Sequence, residues 1–265
     1  RYGNWYFDQY GRTEGSLDIV KAIIRSNDIF FYKVGEWGGA DKLSKWAKIF
    51  GLGDKLGIDL PGEKGGLIPD SIWKERQTGE RWFLGNTYHM AIGQGYVELT
   101  PLQAADMVSA VITGKKCRPH LIFDFSIPSD SSGSSCNPLE LSFQNRNLIM
   151  AGMVGVCSTG GTAFPFFSWN SNPAEATPLL ACKTGTAQHG GQESKPHAWI
   201  AVAGPIKYVI PGNPPAGGPE SISNSYEFDS SSPRRIVLVV LLEAAGEGSS
   251  EAGPVAKEIL TEWFK

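Results

Sequence analysis

The stretch Ile236-Val237-Leu238-Val239-Val240-Leu241-Leu242 is the longest apolar run in the chain, and its length decides what it can be. It is far short of the roughly 20 apolar residues a membrane-spanning helix needs, but it matches a β-strand. Apolar residues fill consecutive rather than alternate positions, so both faces of that strand are expected to be covered. Leu179–Ala187 and Ala198–Gly204 read as two further strands, the second built from small and apolar residues. Helical patterns stand on either side of this group. Leu17, Val20, Ile23 and Ile24 form a helical stripe behind Ser16, which reads as its N-cap, and the stripe breaks at Arg25-Ser26-Asn27-Asp28 before the apolar run Ile29–Tyr32. Leu43, Trp46, Ala47 and Phe50 mark a helix closed by Gly51. Thr100-Pro101-Leu102-Gln103 joins an N-cap threonine, a proline at the first helical position and a reciprocal glutamine, opening a helix through Val108 and Val111 to Gly114. A further apolar helix covers Asn145–Val156, and Val255, Ala256, Ile259, Leu260 and Trp263 place the last helix with one apolar face. Helices before and after an antiparallel strand group predict an α/β protein of the α+β type, an antiparallel sheet with helices on both faces.

The remaining segments are connectors. Residues 51–70 are rich in glycine and proline and read as turns, 129–137 as a flexible loop, and about 206–233 as a long loop or lid. No internal repeat and no second core is visible, so one domain spanning 1–265 is the economical count. A net charge of −3 gives no general reason to expect nucleic acid as a partner. The aromatic opening (Tyr2, Trp5, Tyr6, Phe7, Tyr10) has little basic interleaving, so packing explains it better than base stacking. Cys117, Cys136, Cys157 and Cys182 have no C-x-x-C spacing; they are compatible with two disulfides, but their low density favours buried free thiols.

Two short groups carry chemistry. Lys183-Thr184-Gly185-Thr186 puts a cation on a strand edge beside a glycine, where a substrate can approach the backbone closely. Thr186 adds a hydroxyl that can hold a carboxylate and an N–H that can serve an oxyanion. Ser26-Asn27-Asp28 lies at a break between helices, where Ser26 can relay a proton and Asp28 can orient a neighbouring lysine; locally, Asp28 also reads as a cap for the following helix. The four histidines (His89, His120, His189, His197) show no metal-ligand spacing, and no cofactor is implied. Gly93-Gln94-Gly95 lacks the strand, turn and further glycines of a dinucleotide loop.

Ser26-x-Asp28 and Lys183-Thr184-Gly185 resemble the second and third motifs of the penicillin-binding transpeptidases and their serine β-lactamase relatives. The similarity extends along nearly the whole chain, through Asp28–Tyr32, Gly57–Glu63, Gly66–Pro69, Ile92–Gly95, Thr100–Gln103, Gly160–Ala163 and His197–Trp199. Its form is closest to the monofunctional (class B) transpeptidases of the elongation type. The family's nucleophile sits in a Ser-x-x-Lys ahead of the second motif, yet only 25 residues precede Ser26 and none form it. The literal match Ser71-Ile72-Trp73-Lys74 follows the second motif instead, and a helix N-cap explains Ser71, so it is rejected as nucleophile.

What the resemblance implies is a D,D-transpeptidase acting on peptidoglycan stem peptides that end in D-Ala-D-Ala. An upstream serine would form an acyl-enzyme, and β-lactam antibiotics would trap it. Ser26 would pass a proton to the leaving D-alanine, Asp28 would hold the network, and Lys183 would supply positive potential. Thr184 or Thr186 would contact the terminal carboxylate beside Gly185, and the Thr186 N–H would join the oxyanion hole. The same resemblance implies a membrane glycosyltransferase partner, and a place on the extracytoplasmic (periplasmic) face of the bacterial membrane through an anchor ahead of Arg1. Taken alone, the chain is expected to be inactive. The alternatives are a β-lactamase or D,D-carboxypeptidase, and a non-catalytic scaffold or sensor of the same fold.

Overall fold

A computed structural model describes residues 5–122, 136–171, 178–191, 194–209 and 225–265. Their contacts gather into two compact units, the first formed by Arg1–Arg12, Asp28–Ala110 and Gly114–Leu139, the second by Thr13–Asn27, Val111–Thr113 and Glu140–Lys265.

The first unit is mainly helical: α1 (Trp5–Tyr10), α3 (Asp28–Gly38), α4 (Ala40–Ile49), α5 (Ser71–Thr78), α6 (Leu84–Ala91) and most of α7 (Pro101–Thr113). Buried Leu52, Ile68 and Met90 form its core, surrounded by Leu43, Ala47, Phe50, Trp82, Val97, Leu99 and Met107. The expected capping box is present, with Thr100 accepting from the Gln103 N–H and Gln103 Oε1 from the Thr100 N–H. The buried Gln103 amide also donates to the carbonyls of Asp54 (2.7 Å) and Gly65 (2.6 Å), so one side chain satisfies backbone that the turns of 51–70 leave unpaired. Gly66, at φ 68°, must be glycine, because a Cβ would lie 2.4 Å from the Glu98 carbonyl oxygen across the Leu67–Glu98 bridge. Ser71 is the first residue of α5 and not its cap; Asp70 accepts from the Trp73 N–H, a carboxylate being a strong cap for those orphan donors.

A small ribbon of β1 (Lys115–Cys117) and β2 (Cys136–Pro138) closes this unit. Cys117 and Cys136 face each other in its register and are disulfide-bonded, which corrects the expectation of free thiols and turns the end of the expected 129–137 loop into strand; 129–135 lie outside the described residues.

The second unit holds the larger antiparallel sheet. The long strand β4 (His197–Val209) pairs along one edge with β3 (Leu179–Ala187). Its other edge pairs with β6 (Ile236–Leu242) over Ala198–Gly204 and with β5 (Ser225–Phe228) over Ile206–Val209. The expected lid of about 206–233 therefore begins as strand, carries β5 in its second half and closes in a turn at 229–233, and 210–224 lie outside the described residues. The most buried strand is β4, whose Ala198, Ile200, Val202 and Ala203 are almost inaccessible, whereas only Val240 of β6 is buried. Coverage of β6 is thus incomplete, since every residue but Val240 keeps partial exposure; among the described residues it is also an edge strand, pairing with β4 alone.

Helix α2 (Ile19–Ile24) is capped by Asp18 rather than Ser16, because the Asp18 carboxylate reaches the Lys21 N–H at 2.8 Å. It packs on α8 (Phe143–Val156) at two glycines: a Cβ on Gly152 or Gly155 would fall 2.7 Å from Ile23 or 2.4 Å from Ile24. Helix α9 (Phe167–Ser171) supplies Asn170, whose amide takes the Leu180 N–H (2.9 Å) and donates to the Leu180 carbonyl (2.9 Å) where the β3–β4 register shifts. Helix α10 (Gly253–Trp263) buries Ala256 and Leu260 but leaves Val255, Ile259 and Trp263 37%, 42% and 45% exposed, so its apolar stripe is wider than its buried face.

Candidate active site

Strand β3 carries Lys183, Thr184, Gly185 and Thr186 along the edge of β4, in register with Ala201, Ile200, Trp199 and Ala198. Its position is fixed from behind. Cys182 is disulfide-bonded to Cys157 just past α8, and both cysteines are fully buried, again in place of the expected free thiols. Since α2 is fitted to the glycines of α8, the end of α2 and the middle of β3 are fastened to one helix. The consequence is a contact between residues far apart in sequence: Lys183 Nζ donates to Ser26 Oγ at 2.8 Å and to the Thr184 carbonyl at 2.7 Å.

Ser26 occupies the break after α2. Its N–H donates to the Ile23 carbonyl (3.1 Å) and that of Asn27 to the Ala22 carbonyl (3.0 Å), which winds the chain into a tight corner. At Ser26 the backbone reaches φ 47°, a left-handed conformation that costs a non-glycine residue about 1–2 kcal/mol and must be held by its surroundings. An ammonium group that donates to a serine oxygen takes one lone pair, so the hydroxyl's own proton is directed to a different acceptor. That polarity suits a proton relay.

The threonines of β3 are also anchored. Thr184 Oγ1 and Thr162 Oγ1 are 2.7 Å apart, and Thr186 Oγ1 accepts from the Gly248 N–H at 3.4 Å. Gly248 itself lies so close to the strand that a Cβ on it would sit 2.2 Å from the Trp199 oxygen and 2.4 Å from the Gly185 oxygen. A Cβ on Gly185 would meet Trp199 at 3.2 Å, so glycine here serves the protein's own packing as well as open approach from outside. Gly248 escaped the sequence reading; its signal was the pair Gly246 and Gly248 soon after the last strand.

Ser26, Lys183, Thr184, Gly185 and Thr186 thus belong to one unit, and Asp28 opens α3 in the other. Burial, and then the charge of Asp28, pushes the Tyr32 phenol above its usual value. The rings of His189 and His197 stack at 3.9 Å, and His197 Nδ1 accepts from the Ala244 N–H, which makes this pair a brace at the ends of β3 and β4. Among the described residues no three His, Cys, Asp or Glu side chains gather as a metal site. Nor is any described helix long and apolar enough to cross a membrane.

Lys74, in the literal Ser-x-x-Lys of α5, is 2% exposed. Its Nζ donates to the Arg81 carbonyl (2.9 Å) and Asn86 Oδ1 (3.1 Å), pairs with Glu80 at 3.1 Å and lies 5.0 Å from the Phe83 ring centroid. It anchors the turn into α6.

Residues 1–261 match the family model described as the penicillin-binding protein transpeptidase domain. The chain is 34% identical over 190 residues to the peptidoglycan D,D-transpeptidase MrdA of Salmonella typhimurium, covering 69% of this chain and 30% of that protein. It is 30% identical over 288 residues to MrdA of Haemophilus influenzae, covering 98% of this chain and 38% of that protein. Both relatives are therefore more than twice the length that the chain spans. Among solved structures, penicillin-binding protein PBP2 of Helicobacter pylori in complex with MreC is similar with a TM-score of 0.70 and 30% identity, over 98% of this chain and 42% of that one.

Proposed function

The chain belongs to the penicillin-binding protein transpeptidase domain family, on the class B, elongation-type branch, and on that premise we propose that the protein it represents crosslinks peptidoglycan through a serine acyl-enzyme. The observation that carries this reading is the 2.8 Å hydrogen bond from Lys183 Nζ to Ser26 Oγ. The attacking serine is proposed to lie in a Ser-x-x-Lys segment upstream of Arg1, and it would open the D-Ala-D-Ala bond of a stem peptide. Ser26, its oxygen held by Lys183, would deliver its proton to the departing D-alanine amine and take one back when the acceptor amine attacks. Asp28 would steady that network. The hydroxyls of Thr184 and Thr186 beside Gly185 would receive the terminal carboxylate, and the Thr186 N–H would contribute to an oxyanion hole, where one donor is typically worth about 3 kcal/mol. A β-lactam would acylate the same serine. We propose the extracytoplasmic membrane face as its location, with an anchor upstream. A membrane glycosyltransferase and a protein of the MreC kind are the proposed partners, the latter because the similar PBP2 assembles with MreC.

The test is to label the full natural protein with a fluorescent penicillin and map the modified serine by peptide mass spectrometry. Label is expected in an upstream Ser-x-x-Lys, and none on residues 1–265 alone. Label at Ser71 would move the nucleophile into the first unit. No label on the full protein would favour the scaffold alternative.

A further inference from the structure

The residues on either side of Ser26 share one buried partner. Arg25 Nε donates to Glu14 Oε1, and Asn27 Nδ2 donates to Glu14 Oε2 at 2.8 Å. The Glu14 side chain is 8% exposed and Asn27 is 5% exposed, so this is a largely buried carboxylate held by two charge-assisted hydrogen bonds, not a surface ion pair. The same Arg25 donates through Nη1 to the Gly160 carbonyl at 2.6 Å. Two residues on, Thr162 reaches Thr184 on β3, and the Lys183 side chain returns to Ser26. The chain of contacts closes on itself around the serine.

From this we propose that Glu14 is a positioning residue for the proton relay, a clamp that holds Ser26 in its left-handed conformation by binding Arg25 with one oxygen and Asn27 with the other. The inference rests on the reading of Ser26 as the relay. A left-handed serine persists only where its neighbours over-determine it. Its own N–H bond to Ile23 is compatible with several corners, but simultaneous capture of the flanking side chains is compatible with few. Because both oxygens are used, an amide cannot replace the carboxylate: one end of a glutamine would present an N–H to a donor. Glu14 does not face a substrate in this account. It acts through Ser26, so its loss should slow acyl transfer without changing how well a ligand first binds.

The test uses the full natural protein and its Glu14→Gln and Asn27→Ala variants. Rapid-mixing kinetics with a chromogenic cephalosporin separate the initial dissociation constant from the acylation rate. Glu14→Gln is expected to lower the acylation rate about 10- to 100-fold, with the dissociation constant changed less than about twofold; Asn27→Ala should act in the same direction and more weakly. Hydrogen exchange supplies a readout independent of acylation. In Glu14→Gln the Ser26 and Asn27 amides should exchange about tenfold faster, while the core Val202 amide is unchanged. Acylation at the wild-type rate, a loss confined to the dissociation constant, or equal acceleration of Val202 exchange would each overturn the clamp. If the wild-type protein is not acylated at all, the transpeptidase reading fails, and the exchange data alone decide whether Glu14 holds Ser26.

Discussion

Lys74 on α5 and Lys183 on β3 each stand in a short lysine motif, Ser71-Ile72-Trp73-Lys74 and Lys183-Thr184-Gly185-Thr186, and both ammonium groups meet partners from other parts of the chain. Lys74 is spent on structure. Two acceptors from the turn into α6, an aromatic face and the Glu80 carboxylate surround it, and none of these is Ser71. Lys183 is half-buried and places its proton on the oxygen of Ser26, at a corner with a left-handed backbone. The pattern that spells the family's nucleophile is thus an anchor, whereas Ser26 and Lys183, 157 positions apart, meet in the hydrogen bond on which the proposed relay rests. Spelling identifies which groups are available; what surrounds a charge decides what it can do.

Three substitutions separate the two lysines, and a fourth probes a buried carboxyl of the first unit. In the full natural protein, Lys183→Ala should slow β-lactam acylation by about 100-fold or more, the scale of losing one group that stabilises developing charge. Rates near wild type would erase the distinction between the two sites. Lys74→Ala should do the opposite, leaving acylation per folded molecule unchanged and lowering stability by about 2 kcal/mol. The cause is the loss of a side chain that is 2% exposed, with its packed stem and its hydrogen bonds to the Arg81 carbonyl and Asn86 Oδ1, and a shift in urea midpoint would report it. Glu80 adds little, because its side chain is 64% exposed.

Asp106 gives a smaller and pH-dependent effect in the first unit. Burial pushes its carboxyl up to about 6 against the opposing pull of Lys116, and its Oδ2 has no hydrogen-bond partner. An acid with a raised folded pKa favours folding when protonated, so this contribution is lost as pH climbs from about 4 through 6. Asp106→Asn should therefore raise the melting temperature at pH 8 and leave it nearly unchanged at pH 4; an equal shift at both would show that the carboxyl is not desolvated. The smallest effect is expected from Ser71→Ala. Acylation should not change, and stability should move by only a few tenths of a kcal/mol, since Asp70 rather than Ser71 caps α5. A lost label would restore Ser71 as the nucleophile.

Much of the fold was legible because its signals are local. Thr100, Pro101 and Gln103 cap α7 as their order requires, and the apolar runs locate β3, β4 and β6. The misreadings share a cause. Burial of β4 comes from pairing on both edges, which its small residues do not announce, while the more apolar β6 is only half-buried. Both disulfides join cysteines with no recognisable spacing, one across a strand register and one from helix to sheet.

At the site, the identities of Ser26 and the Lys183-Thr184-Gly185-Thr186 strand could be read directly, because a lysine beside a glycine on a strand is a property of neighbouring residues. Their meeting could not. It depends on two glycines of α8 that admit α2 and on a disulfide that holds β3, and the hydrogen bond from Lys183 to Ser26 spans 157 positions of sequence. The part played by Glu14 was equally hidden, since a glutamate in a loop says nothing of its partners until folding brings Arg25 and Asn27 to its two oxygens. Sequence determined which chemical groups the protein owns and the local conformations that follow from short-range sterics and capping. Only the tertiary structure decided which of those groups lie within hydrogen-bond reach, because that distance is set by close packing of segments far apart along the chain.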